Sequence, residues 1–453
     1  MMKPKHTFNL RGVFRNPPVL IIAAYLAVLL LGTSLLLLPF AVQSGVAADP
    51  VTALFTATSA LCVTGLTTVT TLTYWSFFGQ AVILFLIQVG GLGIMTAAGG
   101  LAMVLRRRIS MPNRIVLAEE KNAPRPGGMA RLIHFVLVAT FAIELTGTCL
   151  LSFRFIPIFG WKNGLWKAVF QAVSAYCNAG FDLIGEASLI SWNKDVLVLF
   201  ATALLIILGG LGFPVYRDIM RQKRWRRYRL HSKITLLLTA FLLLSGTFSF
   251  WLLEHRNAGG VLQSLSIPRQ WMNAFFQSVT CRTAGFYSIP QSSLTQASCL
   301  IAIALMFVGG SPVGTAGGVK TTTLFTLLHS TRKEIGRRRN ASVFDRRLPA
   351  GLMTRASAIV MIAALWCSAG ALILSIAEPQ TPFLDSLFEV ISAFGTVGLS
   401  RDLTPSLGYL SQSVLITTML FGKIGPLTVL YALSAKPVTT TTFEDAEESI
   451  LIG

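Results

Sequence analysis

Four glycines, Gly65, Gly180, Gly285 and Gly398, recur about 105 to 115 residues apart. Each closes a short stretch of small and polar residues set in apolar sequence, beginning with TSALCVTGL at 58–66. Immediately before them stand Val63 and Thr64, Asn178 and Ala179, Thr283 and Ala284, and Thr396 and Val397. Those side chains have no chemistry in common, so what the four stretches share is backbone. Glycine permits backbone angles that turn carbonyls to one side. A ring of carbonyls can replace the hydration shell of a dehydrated monovalent cation. The expected chemistry is therefore ion coordination by the backbone of these twelve residues, a selectivity filter in four parts.

The flanks keep the same register. Ten residues before each glycine stands Phe55, Phe170, Phe275 or Phe388. Six before stands Ser59, Ser174 or Ser392, with Val279 in the third copy. Leu66, Phe181, Phe286 or Leu399 follows. Four copies in register mark an internal repeat.

A second mark lies downstream of each glycine: GGLG at 90–93 and 209–212, GGSP at 309–312, GKIG at 422–425. In the first two copies the small residues suit close helix contact within a membrane. The third belongs to VGGSPVGTAGGVK, 308–320, with Gly309, Gly310, Ser311, Pro312, Gly314, Thr315, Gly317 and Gly318. That stretch cannot stay helical. In the fourth copy Lys423 stands where the others have Gly91, Gly210 and Gly310. A charge in mid-span is costly and marks function. It is expected to face the pathway, repelling cations or pairing with a carboxylate. Arg282 lies within a filter stretch, where a cation facing the pathway would oppose passage. It is expected to point behind the filter and brace it, with Glu389 or Asp385 as partner.

These residues need elements to hold them. The chain has 453 residues, 53% hydrophobic and only 13% charged. Apolar runs such as 17–40 and 195–216 are long enough to cross a bilayer. The stretch of about 10 residues before each glycine is too short to cross about 30 Å at 1.5 Å per residue. It must enter and turn back, which is tolerated only inside protein or beside a watery cavity. The expected fold is an all-α polytopic membrane protein with four parallel repeats around one pseudo-four-fold pore. Each repeat is a span, a re-entrant pore helix and a second span, giving eight spans and four pore helices. The repeats are placed at 18–105, 131–217, 234–329 (with the loop 308–320) and 355–435. A cytoplasmic N-terminal segment, 1–17, and a C-terminal tail, 436–453, flank them. Two spans per repeat keep the copies parallel, whereas inverted repeats need an odd number.

The net charge of +19 is concentrated near the N-terminus and in three clusters, 106–131, 217–233 and 332–355. Stretches on the opposite side, such as 41–77, are poor in Lys and Arg. That asymmetry puts the clusters and both termini in the cytoplasm. It argues for anionic-lipid contact rather than nucleic acid. The five His are scattered, and no HExxH motif or nucleotide-binding glycine loop occurs. An enzyme is not expected, nor an organic cofactor. Asp49, Glu186, Asp195 and Asp402 fall in outer loops, either concentrating cations or as ordinary solvated charges.

VTGL, YCNAGF, CRTAGF and GTVGL, in four copies over essentially the whole chain, resemble the Trk, Ktr and HKT superfamily of potassium transporters. Within it they are most similar to the KtrB-type membrane subunits of Ktr potassium uptake systems. The resemblance implies potassium uptake across the bacterial cell membrane, with potassium bound by the filter carbonyls. Gly65 in the first filter stretch goes with potassium selectivity, where sodium-permeable plant members carry Ser. The resemblance makes 308–320 an intramembrane gate below the filter. The family pattern has Arg at the position of Lys423, so charge is kept and the planar fork lost. It also implies a homodimer with one pore per protomer, to which the tail FEDAEESILIG contributes, and a cytosolic KtrA-like nucleotide-binding ring as regulator. Sodium stimulates some members and stays open here. A Trk-type or sodium-permeable transporter of the same superfamily, or an alternating-access carrier, is the alternative.

Overall fold

The computed structural model describes residues 17–105, 116–117, 128–222, 224–257, 259–336, 342–344, 346, 348–349 and 351–433. The segment 1–16, most of the first basic cluster, part of the third and the tail 436–453 lie outside the described residues.

Sixteen helices of eight or more residues fall into four sets of four among the described residues. The first set is α1 (Pro17–Leu36), α2 (Pro50–Cys62), α3 (Phe77–Leu92) and α4 (Ile94–Val104). The second is α5 (Met129–Phe159), α6 (Trp161–Cys177), α7 (Val196–Leu211) and α8 (Phe213–Arg221). The third is α9 (Leu230–Glu254), α10 (Ile267–Thr280), α11 (Gln296–Phe307) and α12 (Thr321–Ile335). The fourth is α13 (Leu352–Ala377), α14 (Phe383–Gly395), α15 (Tyr409–Ile424) and α16 (Pro426–Leu433). Each repeat is a long span, a short helix and a second span in two pieces.

Local chemistry sets the helix starts. The Asp49 carboxylate accepts from the Val51 and Thr52 N–H groups at 3.1 Å each, capping α2. Asp195 caps α7 through Leu197 and Val198 and pairs with Arg154. Two of the four outer acids are thus helix caps. Ser76 and Thr295 cap α3 and α11 in the same way.

α1, α5, α9 and α13 are long and apolar enough to cross a membrane. The second spans depart from the expectation of continuous helices. α3 and α4 meet at 98°, α7 and α8 at 94°, and α15 and α16 at 96°. The break falls each time on the last glycine of the downstream motif: Gly93 (φ 86°), Gly212 (φ 83°) and Gly425 (φ 95°). A left-handed φ cannot continue an α-helix, and only glycine adopts it cheaply. The first glycine of each motif does the close packing. A Cβ on Gly90, Gly209 or Gly422 would lie 1.9 Å from the carbonyl oxygen of Leu61, Tyr176 or Phe394. Each second span thus presses its glycine against the end of its own short helix. In the third repeat the break widens into the loop 308–320, tied off by a parallel bridge between Val308 and Val319.

The short helices are the most enclosed elements. Phe55, Phe170 and Phe388 are fully buried in α2, α6 and α14. In α10 the fully buried ring is Phe276, and Phe275 is half-buried. One large apolar cluster is built mainly from the first two repeats and another mainly from the last two. The short helices and their glycines sit where the two meet.

Candidate functional site

Each short helix ends in the same backbone sequence. Val63, Asn178, Thr283 and Thr396 have φ of 57°, 60°, 71° and 50°, a left-handed conformation rare for such residues. Two residues on, Gly65, Gly180, Gly285 and Gly398 have φ of 96°, 74°, 84° and 90°. In three repeats the intervening N–H closes the turn identically. Thr64, Ala179 and Val397 donate to the carbonyls of Ser59, Ser174 and Ser392, each at 2.8 Å. The Ser59 and Ser392 hydroxyls also accept from the Gly65 and Gly398 N–H groups, at 3.0 and 3.1 Å. The third repeat has no Ser there. Its Ala284 N–H goes to the Thr280 carbonyl at 3.0 Å, and the Thr280 hydroxyl donates to the Phe286 carbonyl. Val279 lacks the hydroxyl that the first and fourth turns use.

The four turns meet in a closed circuit. A Cβ on Gly65 would lie 2.6 Å from the Ala179 carbonyl oxygen. One on Gly180 would lie 2.9 Å from that of Ala284, and one on Gly285 2.6 Å from that of Val397. One on Gly398 would lie 2.1 Å from that of Thr64. Every glycine therefore abuts the carbonyl of the next repeat, and the fourth returns to the first. Of the twelve residues singled out from sequence, Gly180 is half-buried and the other eleven are buried. Removing the Ser59 hydroxyl would orphan the Gly65 N–H at a cost of about 1–3 kcal/mol. Ser59→Ala should lower the potassium-to-sodium flux ratio, measured with 86Rb and 22Na. An unchanged ratio would mean that the hydroxyl does not hold the ring.

Above the ring lies a cavity of about 120 Å³, whose walls include the four glycines, Asp182, Glu186 and Asp402. Asp182 is a wall carboxylate that the sequence reading passed over, although it follows Gly180 by two residues. Burial pushes its carboxyl up to about 6, against hydrogen bonds from Ser188 and the N–H groups of Ile184 and Gly185.

On the other side of the ring lies the loop 308–320. The Thr315 hydroxyl reaches the Tyr176 carbonyl at 3.4 Å, and a Cβ on Gly317 would lie 2.3 Å from Thr396 Oγ1. Ser311 N–H donates to the Gly210 carbonyl at 3.0 Å, and Thr315 N–H to that of Gly209 at 3.3 Å. Lys423 Nζ donates to the Thr315 carbonyl at 2.9 Å. Lys320 Nζ donates to the carbonyls of Ala316 and Gly317 at 2.6 and 3.3 Å. The two ammonium groups thus hold the loop's own carbonyls. A cavity of about 230 Å³ is lined by the loop, Gly91, Gly93, Lys320 and Lys423. Lys423, expected to face the pathway, reaches the loop there. Lys320 closes the glycine-rich stretch in sequence, yet nothing there marks it as a second clasp.

Arg282 and Glu389 are not brought together. Glu389 accepts from the hydroxyls of Ser400 and Thr404. Asp385 pairs with Arg401 at 2.6 Å, and Arg401 also donates to the Gln291 carbonyl at 3.0 Å. Arg401 therefore takes the Asp385 partner expected for Arg282, and it reaches from the fourth repeat to the third. Arg282 Nη1 instead donates to the Thr239 carbonyl at 3.4 Å.

Another buried polar group escaped notice. Glu144, in α5, accepts from Gln88 Nε2 of α3 at 3.3 Å and lies 3.8 Å from the Cys177 thiol. An isolated acid in an apolar run carries no sign of its partners on other helices.

Residues 11–438 match the TrkH family, described as cation transport proteins. The chain is 40% identical to the potassium/sodium uptake protein NtpJ of Enterococcus hirae, over 97% of both chains. It is 36% identical to the Ktr system potassium uptake protein B of Bacillus subtilis, over 96% of both. The crystal structure of the potassium transporter TrkH from Vibrio parahaemolyticus superposes with a TM-score of 0.70 at 18% identity. That match covers 97% of this chain and 88% of the other.

Proposed function

The chain belongs to the TrkH family of cation transport proteins, and from that premise we propose that it takes up potassium through the ring of four glycines. The observation that carries the reading is the closed circuit of glycine and neighbouring carbonyl. Four backbone turns fixed in this way can offer carbonyls at one axis without rearranging, and so replace water around potassium. Flow is passive, driven by the membrane potential, which favours cation uptake by about 2.3 kcal/mol per charge per 100 mV. The loop 308–320 is the gate, held shut by Lys423.

Regulation is assigned to a cytosolic nucleotide-binding partner of the KtrA kind that docks on the basic loops 106–131, 217–233 and 332–355. The protein is a homodimer in the bacterial inner membrane, with both termini cytoplasmic. A relative named for potassium and sodium uptake makes sodium flux the quantity to measure beside potassium, and sodium permeation is the second reading.

The test is growth and 86Rb uptake in a bacterium stripped of its own potassium systems, with and without a co-expressed regulator. Growth restored at low potassium supports the reading. No uptake in either condition overturns it. Flux that saturates at carrier rates would favour alternating access instead.

A further inference from the structure

Arg282 is a charge that neither filter nor gate has absorbed. It is 7% exposed, and its Nε has no hydrogen-bond partner. None of the ion pairs among the described residues includes it. A buried cation without a counter-charge lowers stability, and an apolar side chain of similar volume usually does as well or better. Its cost in this state points to a use in another.

The surroundings indicate which. The guanidinium lines a cavity of about 10 Å³ together with Thr239, Gly210 and Gly310. Thr239 Oγ1 also lacks a partner. Gly210 and Gly310 form the seam between the second repeat and the loop. A Cβ on Gly310 would lie 3.1 Å from the Gly210 carbonyl oxygen, and that oxygen accepts from Ser311 N–H at 3.0 Å. Arg282 thus shares a cavity with the seam where the loop is fastened.

When the loop retracts, the Gly210 carbonyl loses Ser311. An orphaned carbonyl in a dry interior is costly, and a charged donor makes a stronger hydrogen bond than a neutral one. We propose that Arg282 is a positioning residue for the open gate: its guanidinium takes over the Gly210 carbonyl when 308–320 leaves, and so favours the conducting state. This rests on the gate reading above. Arg282 acts on the open state and Lys423 on the closed one.

The full-length protein in liposomes tests this by 86Rb flux and the potassium-to-sodium ratio. Four forms are compared: wild type, Arg282→Met, Lys423→Ala and the double variant. Arg282→Met should lower flux about tenfold and leave the ion ratio unchanged. In the double variant, Lys423→Ala should bring flux back to near the wild-type level. Arg282→Lys, which keeps a charged donor, should recover part of the loss. Unchanged flux in Arg282→Met would overturn the proposal. So would an altered ion ratio that Lys423→Ala does not rescue, because Arg282 would then be a brace for the filter. Failure of Lys423→Ala alone to raise flux would overturn the gate reading itself, and this inference with it.

Discussion

Gly398→Ala should abolish most potassium uptake. The new methyl would stand 2.1 Å from the Thr64 carbonyl oxygen, on a backbone at φ 90°. The conformation alone costs about 1–3 kcal/mol for a residue with a Cβ. The overlap is worse, because the nearest atom is main chain and cannot rotate away. The carbonyl that must move is itself a proposed ligand, so the expected injury is to coordination rather than to folding. Gly65→Ser is milder, since its Cβ would lie 2.6 Å from the Ala179 carbonyl oxygen. Uptake should persist there while the preference for potassium over sodium falls about tenfold. Parallel 86Rb and 22Na fluxes measure both variants. Wild-type ratios and rates in the pair would remove the ring from the ion's path.

Lys423→Ala should do the opposite and raise the resting flux. The bond from Lys423 Nζ to the Thr315 carbonyl is 2.9 Å long and charge-assisted. Such a bond contributes about 1.5–3 kcal/mol, and about 1.4 kcal/mol is a tenfold change in an equilibrium. Loss of the clasp should shift the gate towards open by about 10- to 100-fold, with the ion ratio intact. Removing a positive charge would also ease cation passage, so Lys423→Gln separates the two effects. The amide can still donate to Thr315 but carries no charge. Flux near wild type in Gln means the clasp matters most; flux like that of Ala means the charge does. If neither variant leaks, loop 308–320 is not held by Lys423.

Much of the ring was legible in sequence because its chemistry leaves no choice of residue. A left-handed φ with a neighbour's carbonyl against the missing Cβ admits only glycine, so four glycines stand out from four unlike contexts. The loop showed itself for a related reason, since no helix carries so many glycines with Pro312. The breaks at Gly93, Gly212 and Gly425 were hidden. GGLG reads equally well as a packing surface or as a bend, and the structure uses its first glycine for one and its last for the other. Partners of charged groups were the other gap. Arg282, Arg401, Asp385 and Glu389 come from turns and helices far apart in sequence, and one sequence does not say which meet. Val279 gave a fair warning that the third turn differs, but not that Phe276 rather than Phe275 would be the fully buried ring.

The circuit of four unlike turns has a bearing on how such a pore can change over time. A channel made of four identical chains feels every mutation four times at once. Here a single codon alters one wall: a change in the turn at Gly180 touches its junctions with the first and third turns, and the junctions of the fourth keep their own geometry. Ion preference can then change one wall at a time, and the third wall, with its own hydrogen bonds, shows that the four need not be alike.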